Sequence, residues 1–185
     1  MYSVLPNKAL NPHGTLSDIF IGMSFESFHQ ICEWVWHLPY GRPNDSQHYM
    51  SVVNEKKGTC STKHALLKAL ADELRIDVAL TVGIYAMTEA NTPGVGHVLK
   101  QYRQDFIPEA HCYLTYQNHR VDLTRLMKAE SEPITAFFIE KNILPDEIQT
   151  AKPPFHYQFI QNRFGCDKAP LIWAIREQCI QALSV

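Results

Sequence analysis

Between residues 58 and 67 the chain reads Gly58-Thr59-Cys60-Ser61-Thr62-Lys63-His64-Ala65-Leu66-Leu67. A glycine and a threonine, which favour turns, lead into a run of strong helix formers, so the segment predicts a turn feeding directly into a helix that begins near Cys60. Leu66, Leu67, Leu70 and Leu74 then form its apolar stripe. A helix N-terminus presents free backbone N–H groups and a partial positive charge, which favour a thiolate over a thiol. Cys60 is therefore a candidate nucleophile, and its polar neighbours argue against a buried apolar setting. The other four cysteines, Cys32, Cys112, Cys166 and Cys179, read as small core hydrophobes. Five cysteines at irregular spacing, with no Cys-x-x-Cys pair, predict free thiols in a reducing compartment.

A cysteine nucleophile needs a base, and the base needs an orienting partner. Downstream, the period changes from helical to alternating at Ile76, with Ile76, Val78, Leu80, Val82 and Ile84 predicted on one strand face. Residues 88–109 carry Pro93, Gly94 and Gly96 and read as a long functional loop with a helix around Val98 to Phe106, Gly94-Val95-Gly96-His97 forming a flap near the cleft. Two strands follow, Ala110 to Tyr116 and Arg120 to Thr124, joined through Gln117, Asn118 and His119 as an antiparallel hairpin. With a two-residue loop, Tyr113 stands opposite Asp122 and His111 lies on the diagonal, about 7–8 Å away along the same face. A slip of one residue would put His111 and Asp122 on opposite faces. His64, one turn after Cys60, is a rival base, but it is expected to project outward with no acid at matching spacing.

Upstream, Ser24 is expected to cap a helix over residues 24–36 whose face is Phe28, Ile31, Cys32 and Val35, with Pro39 just beyond its end. After the hairpin the pattern predicts a helix near Ile134 to Asn142, a proline-broken stretch around Lys152 to Pro154, and a closing helix from Pro170 to Leu183 with Leu171, Ile172, Ile175, Cys179 and Leu183 inward. Helices, then strands, then helices predict an α+β fold. Without repeats or linkers the whole of 1–185 reads as one domain: a core at 55–126, the N-terminal helix, and a helical extension over 130–185.

Composition narrows the function classes. With 185 residues, 45% hydrophobic, the chain is long enough for its own core. A net charge of -2 gives no electrostatic reason to expect nucleic acid or an anionic membrane as partner. No apolar run approaches the roughly 20 residues of a membrane-spanning helix. The opening residues show no secretory signal, so the expected location is cytoplasmic.

Gly58-Thr59-Cys60 before a helix with Ala65, Leu66 and Leu67, the strand Val78 to Tyr85, Glu109-Ala110-His111-Cys112-Tyr113, and Val121-Asp122-Leu123-Thr124 together resemble the core of the transglutaminase-like superfamily over residues 55–126. The resemblance implies a papain-like fold, with the nucleophile at a helix N-terminus packed against an antiparallel sheet, and a triad of Cys60, His111 and Asp122. It implies cysteine-dependent acyl transfer or amide hydrolysis through a thioester on Cys60, as in a peptidase, deamidase or transglutaminase, on a peptide, protein or amide substrate and without a cofactor. Trp34, Trp36 and Gln47 are candidates to complete an oxyanion hole with the Cys60 backbone N–H. Tyr113 and Asn118-His119-Arg120 stand where the family often has tryptophan, so its substrate preference is not carried over.

Three rivals compete with this expectation. An arylamine N-acetyltransferase-like enzyme shares the triad, but Glu55-Lys56-Lys57 replaces its Arg-Gly-Gly context. A non-catalytic binding module on the same fold would not need all three triad residues. A metal site from His97, Cys112, His111 and His119 lacks the usual ligand spacings, so no metal is expected.

Overall fold

The computed structural model describes residues 2–46, 48–126 and 131–183. Four strands, β1 (Ala79–Met87), β2 (Ile107–Tyr116), β3 (His119–Val121) and β4 (Ile139–Ile143), form one antiparallel sheet in the order β3-β2-β1-β4. The described helices are α1 (Thr15–Gly22), α2 (Phe28–His37), α3 (Ser51–Glu55), α4 (Cys60–Glu73), α5 (Gly96–Gln101), α6 (Lys152–Phe164) and α7 (Ala169–Ala182). The α+β class expected from the pattern is the one observed. β1 lies between β2 and β4 and is buried on both faces rather than alternating. None of the described helices is long and apolar enough to cross a membrane.

The chain divides into two compact units: Met1–Thr81 with Cys112–Leu126 and Asn142–Gln149, and Val82–His111 with Met127–Lys141 and Thr150–Val185. It changes unit in mid-strand, in β1 after Thr81, in β2 after His111 and in β4 after Lys141, which is why no linker composition marks the division there.

In the first unit α4 is the hub, packed by α1, α2 and α3. Leu66, Leu67 and Leu70 are fully buried, as are Phe28, Ile31, Cys32 and Val35 of α2. α2 starts later than expected. Ser24 adopts a left-handed φ of 68° in the preceding turn, and the N-terminus is instead organised by Gln30, whose side chain accepts from the Glu26 and Ser27 N–H groups at 2.6 and 3.2 Å. α1, which the local pattern does not announce, is capped from a distance. The Glu73 carboxylate accepts from Leu16 N and Ser17 N, both at 2.8 Å, and from Ser17 Oγ at 2.5 Å.

The second unit is built around Tyr85, Met87, Val98, Leu99, Ile107, Ile160, Ile172, Ile175 and Cys179. Three expectations are corrected here. Residues 139–143 are a strand, not part of a helix, and Phe138 N–H donates to the Ile84 carbonyl at 2.7 Å just before it. The stretch around Lys152 to Pro154 begins α6 rather than breaking structure, because prolines are tolerated in the first helical turn, where N–H groups have no intrahelical acceptor. Leu171 is 57% exposed on α7, while Ile172, Ile175 and Cys179 form the inner face.

The 88–95 loop is braced by internal hydrogen bonds, and Gly96 and His97 of the expected flap open α5. The Glu89 carboxylate accepts from the Gly94 and Gly96 N–H groups, Asn91 bridges the Thr88 N–H and the Ala86 carbonyl, and Val95 is fully buried. Gly94 has a φ of 111°, a conformation that favours glycine.

Candidate functional site

The site is built outward from the junction at Gly58. Gly58 N–H donates to the Pro39 carbonyl at 3.2 Å, and its carbonyl accepts from Gly41 N–H at 3.1 Å, so the backbone before α4 lies beside residues 39–41. A Cβ at Gly58 would meet Lys63 Cγ and Thr62 Oγ1 at 2.9 Å, which is why only glycine fits. Thr59 caps the helix and exchanges hydrogen bonds with Thr62. The Thr62 hydroxyl accepts from Thr59 N–H at 3.0 Å, and the Thr59 hydroxyl accepts from Thr62 N–H at 3.4 Å. Cys60 is thereby the first residue of α4, as the sequence predicts.

Cys60 is only 7% exposed, against the expectation drawn from its polar neighbours. Those neighbours are buried too, each with a partner that makes burial affordable. The fully buried Lys63 ammonium donates to the Leu38 and Thr124 carbonyls, both at 2.7 Å. Burial pulls the Lys63 amine down to about 8, with the Asp122 charge acting in the opposite direction.

His64 is corrected more sharply. It is fully buried, not projecting outward, and an acid does stand near it: Asp122 Oδ1 is 3.7 Å from Nε2. Nδ1 lies 2.8 Å from the Cys60 carbonyl, and Nε2 accepts from Leu123 N–H at 2.8 Å. A carbonyl can only accept and an N–H can only donate, so this network assigns the proton to Nδ1 and leaves the ring neutral. The 2.8 Å bond to Leu123 governs Nε2; the 3.7 Å approach to Asp122 is beyond hydrogen-bond reach.

The hairpin has the register that the even loop predicts. Leu114 pairs with Val121, Thr115 with Arg120 and Tyr116 with His119, leaving Gln117 and Asn118 as a two-residue turn with Gln117 at a φ of 53°. Strand alternation puts His111, Tyr113 and Thr115 on one face of β2, and the ladder closes at Leu114 and Val121, one residue before Asp122. Arg120 lies over the Tyr113 ring at 5.9 Å, and the hydroxyls of Thr81 and Thr115 are 3.0 Å apart. β3 ends at Val121, and Asp122 opens a tight turn in which its Oδ1 accepts from Thr124 N–H at 3.0 Å and from the Thr124 hydroxyl at 2.5 Å. The Asp122 side chain is 39% exposed.

Cys60 and Asp122 thus belong to the first unit, their segments joined by the His64 ring, while His111 belongs to the second. His111 is 8% exposed and makes an edge contact with Tyr85, ring centres 6.0 Å apart. Of the oxyanion candidates, Trp36 commits its one donor, the indole N–H, to the Arg125 carbonyl at 3.1 Å. Trp34 packs against Phe20 and Phe25, each at 5.8 Å, and Gln47 lies outside the described residues. Cys32, Cys112 and Cys179 are core residues as expected, whereas Cys166 is exposed. Burial pushes the Cys179 thiol up to about 11 and Cys32 further still. Among the described residues, no group of three or more His, Cys, Asp or Glu side chains is placed to hold a metal ion.

Sequence reasoning missed Lys63, and named His64 only as a rival base projecting outward. The available signal was positional: Cys60, His64, Leu67, Ala71 and Leu74 fall on one helical stripe, and Lys63 shares one with Leu66, Leu67 and Leu70, so both polar residues stand at core positions. Compared with known protein families, curated proteins and solved structures, the chain matches none.

Proposed function

We propose that this protein is a cysteine-dependent amide hydrolase or acyltransferase of papain-like, transglutaminase-like type, with Cys60 as nucleophile, His111 as base and Asp122 as the residue that orients it. The observation that carries this reading is the juxtaposition of the Cys60 and Leu123 backbones across a single imidazole, which ties the start of the helix that carries the thiol to the residue that follows the acid. The hairpin supports it by setting Asp122 directly after Val121, the β3 residue paired with Leu114 of the strand that carries His111. So does the engagement of both His64 nitrogens, which leaves that ring no lone pair with which to take the Cys60 proton.

In the proposed reaction His111 takes the thiol proton and Asp122 stabilises the resulting imidazolium. The thiolate attacks the substrate carbonyl carbon, and the developing oxyanion is met by the Cys60 backbone N–H. Collapse breaks the C–N bond, and the amine leaves with the proton from His111. The thioester on Cys60 is then attacked by water or by an amine whose proton returns to His111. Release of the acid or the new amide regenerates the thiol.

An activated acyl ester tests this without knowledge of the substrate. Incubation with p-nitrophenyl acetate is expected to place one acetyl group on Cys60, read by peptide mass spectrometry, with labelling lost in Cys60→Ser and strongly slowed in His111→Ala. No labelling of Cys60, or labelling no faster than that of exposed Cys166, contradicts the proposal and favours a binding module.

A further inference from the structure

We infer that His64 and Lys63 are positioning residues for the proposed triad: together they latch the Asp122–Thr124 segment to the first two turns of α4, and so fix the acid relative to Cys60. The inference rests on the function proposed above and adds two residues to its site.

Both side chains bind backbone rather than side chains, at the two residues that follow the acid. His64 donates from Nδ1 to the carbonyl of Cys60 and accepts at Nε2 from the N–H of Leu123, one residue after Asp122. Lys63 donates to the carbonyl of Thr124, two residues after Asp122, and to that of Leu38 in the segment leading from α2. The carboxylate itself is held within the same turn through Thr124 N–H and Oγ. A rigid ring with one donor and one acceptor on opposite edges spans two backbones with little conformational freedom, and supporting groups of this kind set the geometry of a reacting constellation. Lys63 also brings a positive charge that Asp122 senses. Neither residue is placed to exchange a proton with substrate: both are fully buried and bonded to backbone groups.

Isosteric replacement separates positioning from mere packing. His64→Gln keeps one donor and one acceptor, His64→Leu fills the space with neither, and Lys63→Met removes the ammonium at similar length. The readouts are the pH–rate profile of Cys60 alkylation by iodoacetamide and the thermal unfolding midpoint of the same samples. Wild type is expected to react well below pH 8.5. In His64→Leu the rise in rate is expected to move up by about one pH unit or more, a roughly tenfold loss of rate on the acid side. His64→Gln is expected to restore most of it, and Lys63→Met to shift the profile the same way; Lys63→Met decides the matter if His64→Leu does not fold. A lower unfolding midpoint with an unmoved profile in the folded variants overturns the positioning role and leaves the triad standing. A wild-type profile like that of Cys166 overturns both.

Discussion

Lys63 shows how a residue's setting becomes a pH dependence. Its folded amine titrates near 8 while the unfolded side chain keeps an ordinary value of about 10.4, so between those values the unfolded chain binds the extra proton. Stability is therefore expected to rise with pH through that window, because the cost of burying the charge is present below it and relieved above it. Chemical denaturation between pH 7.5 and 10.5 checks this: the rise should be smaller in Lys63→Met, and an unchanged pH dependence contradicts the assignment. The same residue marks the limit of what the sequence shows. Cys60 at a helix start was legible because turn formers and helix formers meet there. The buried partners of Lys63 and His64 beyond α4 are backbone atoms of residues 38, 123 and 124, which no side-chain pattern displays.

Among the elements, those with local signals were read well. The α2 and α4 stripes and the two-residue hairpin turn are each specified within a few residues of themselves. α1 was not, because its cap is Glu73, more than fifty residues away. For β4 the local pattern predicts part of a helix, because Ile139–Ile143 gains its strand identity from its place at the sheet edge beside β1. The hairpin makes the sharpest prediction at this scale. Inserting one residue between Gln117 and Asn118 changes the loop from even to odd, and if β3 retains its inward face Val121, the change must be absorbed in the turn. The insertion is then expected to leave Cys60 reactivity intact. If the register slips instead, Asp122 exchanges faces and acid-side alkylation of Cys60 falls to the level of Cys166. Hydrogen exchange at Leu114 and Val121 reports which register forms, and reactivity that survives a slipped register contradicts the role given to Asp122.

At the scale of the whole molecule, the second unit holds an ion pair of low exposure. Glu109 on β2 receives two bonds from Arg176 of α7, at 2.5 and 2.7 Å, and the His156 ring of α6 bonds the Pro108 carbonyl at 2.8 Å beside them. Burial pushes the Glu109 carboxyl up, but the Arg176 charge and hydrogen bonds outweigh it and hold it below the usual range. Its stabilising contribution is therefore present above the unfolded value of about 4.3 and lost as pH falls through the lower folded value. Arg176→Met strands a buried carboxylate and is expected to cost about 3–5 kcal/mol at neutral pH, read by denaturant titration; a loss under about 1 kcal/mol contradicts the buried pairing. This pair anchors the strand that carries His111, two residues on from Glu109, and so ties the stability of the second unit to the proposed chemistry. The division into two interleaved units was the feature least visible in the sequence, since the chain crosses between them inside strands. The central claim, that Cys60, His111 and Asp122 act together, is tested most directly by the pH dependence of Cys60 alkylation in wild type, His111→Ala and Asp122→Ala, with exposed Cys166 as the internal reference thiol. The account predicts a Cys60 rate that stays high well below pH 8.5 and collapses toward that of Cys166 in both variants. A Cys60 that reacts no faster than Cys166, with neither substitution changing it, contradicts the triad.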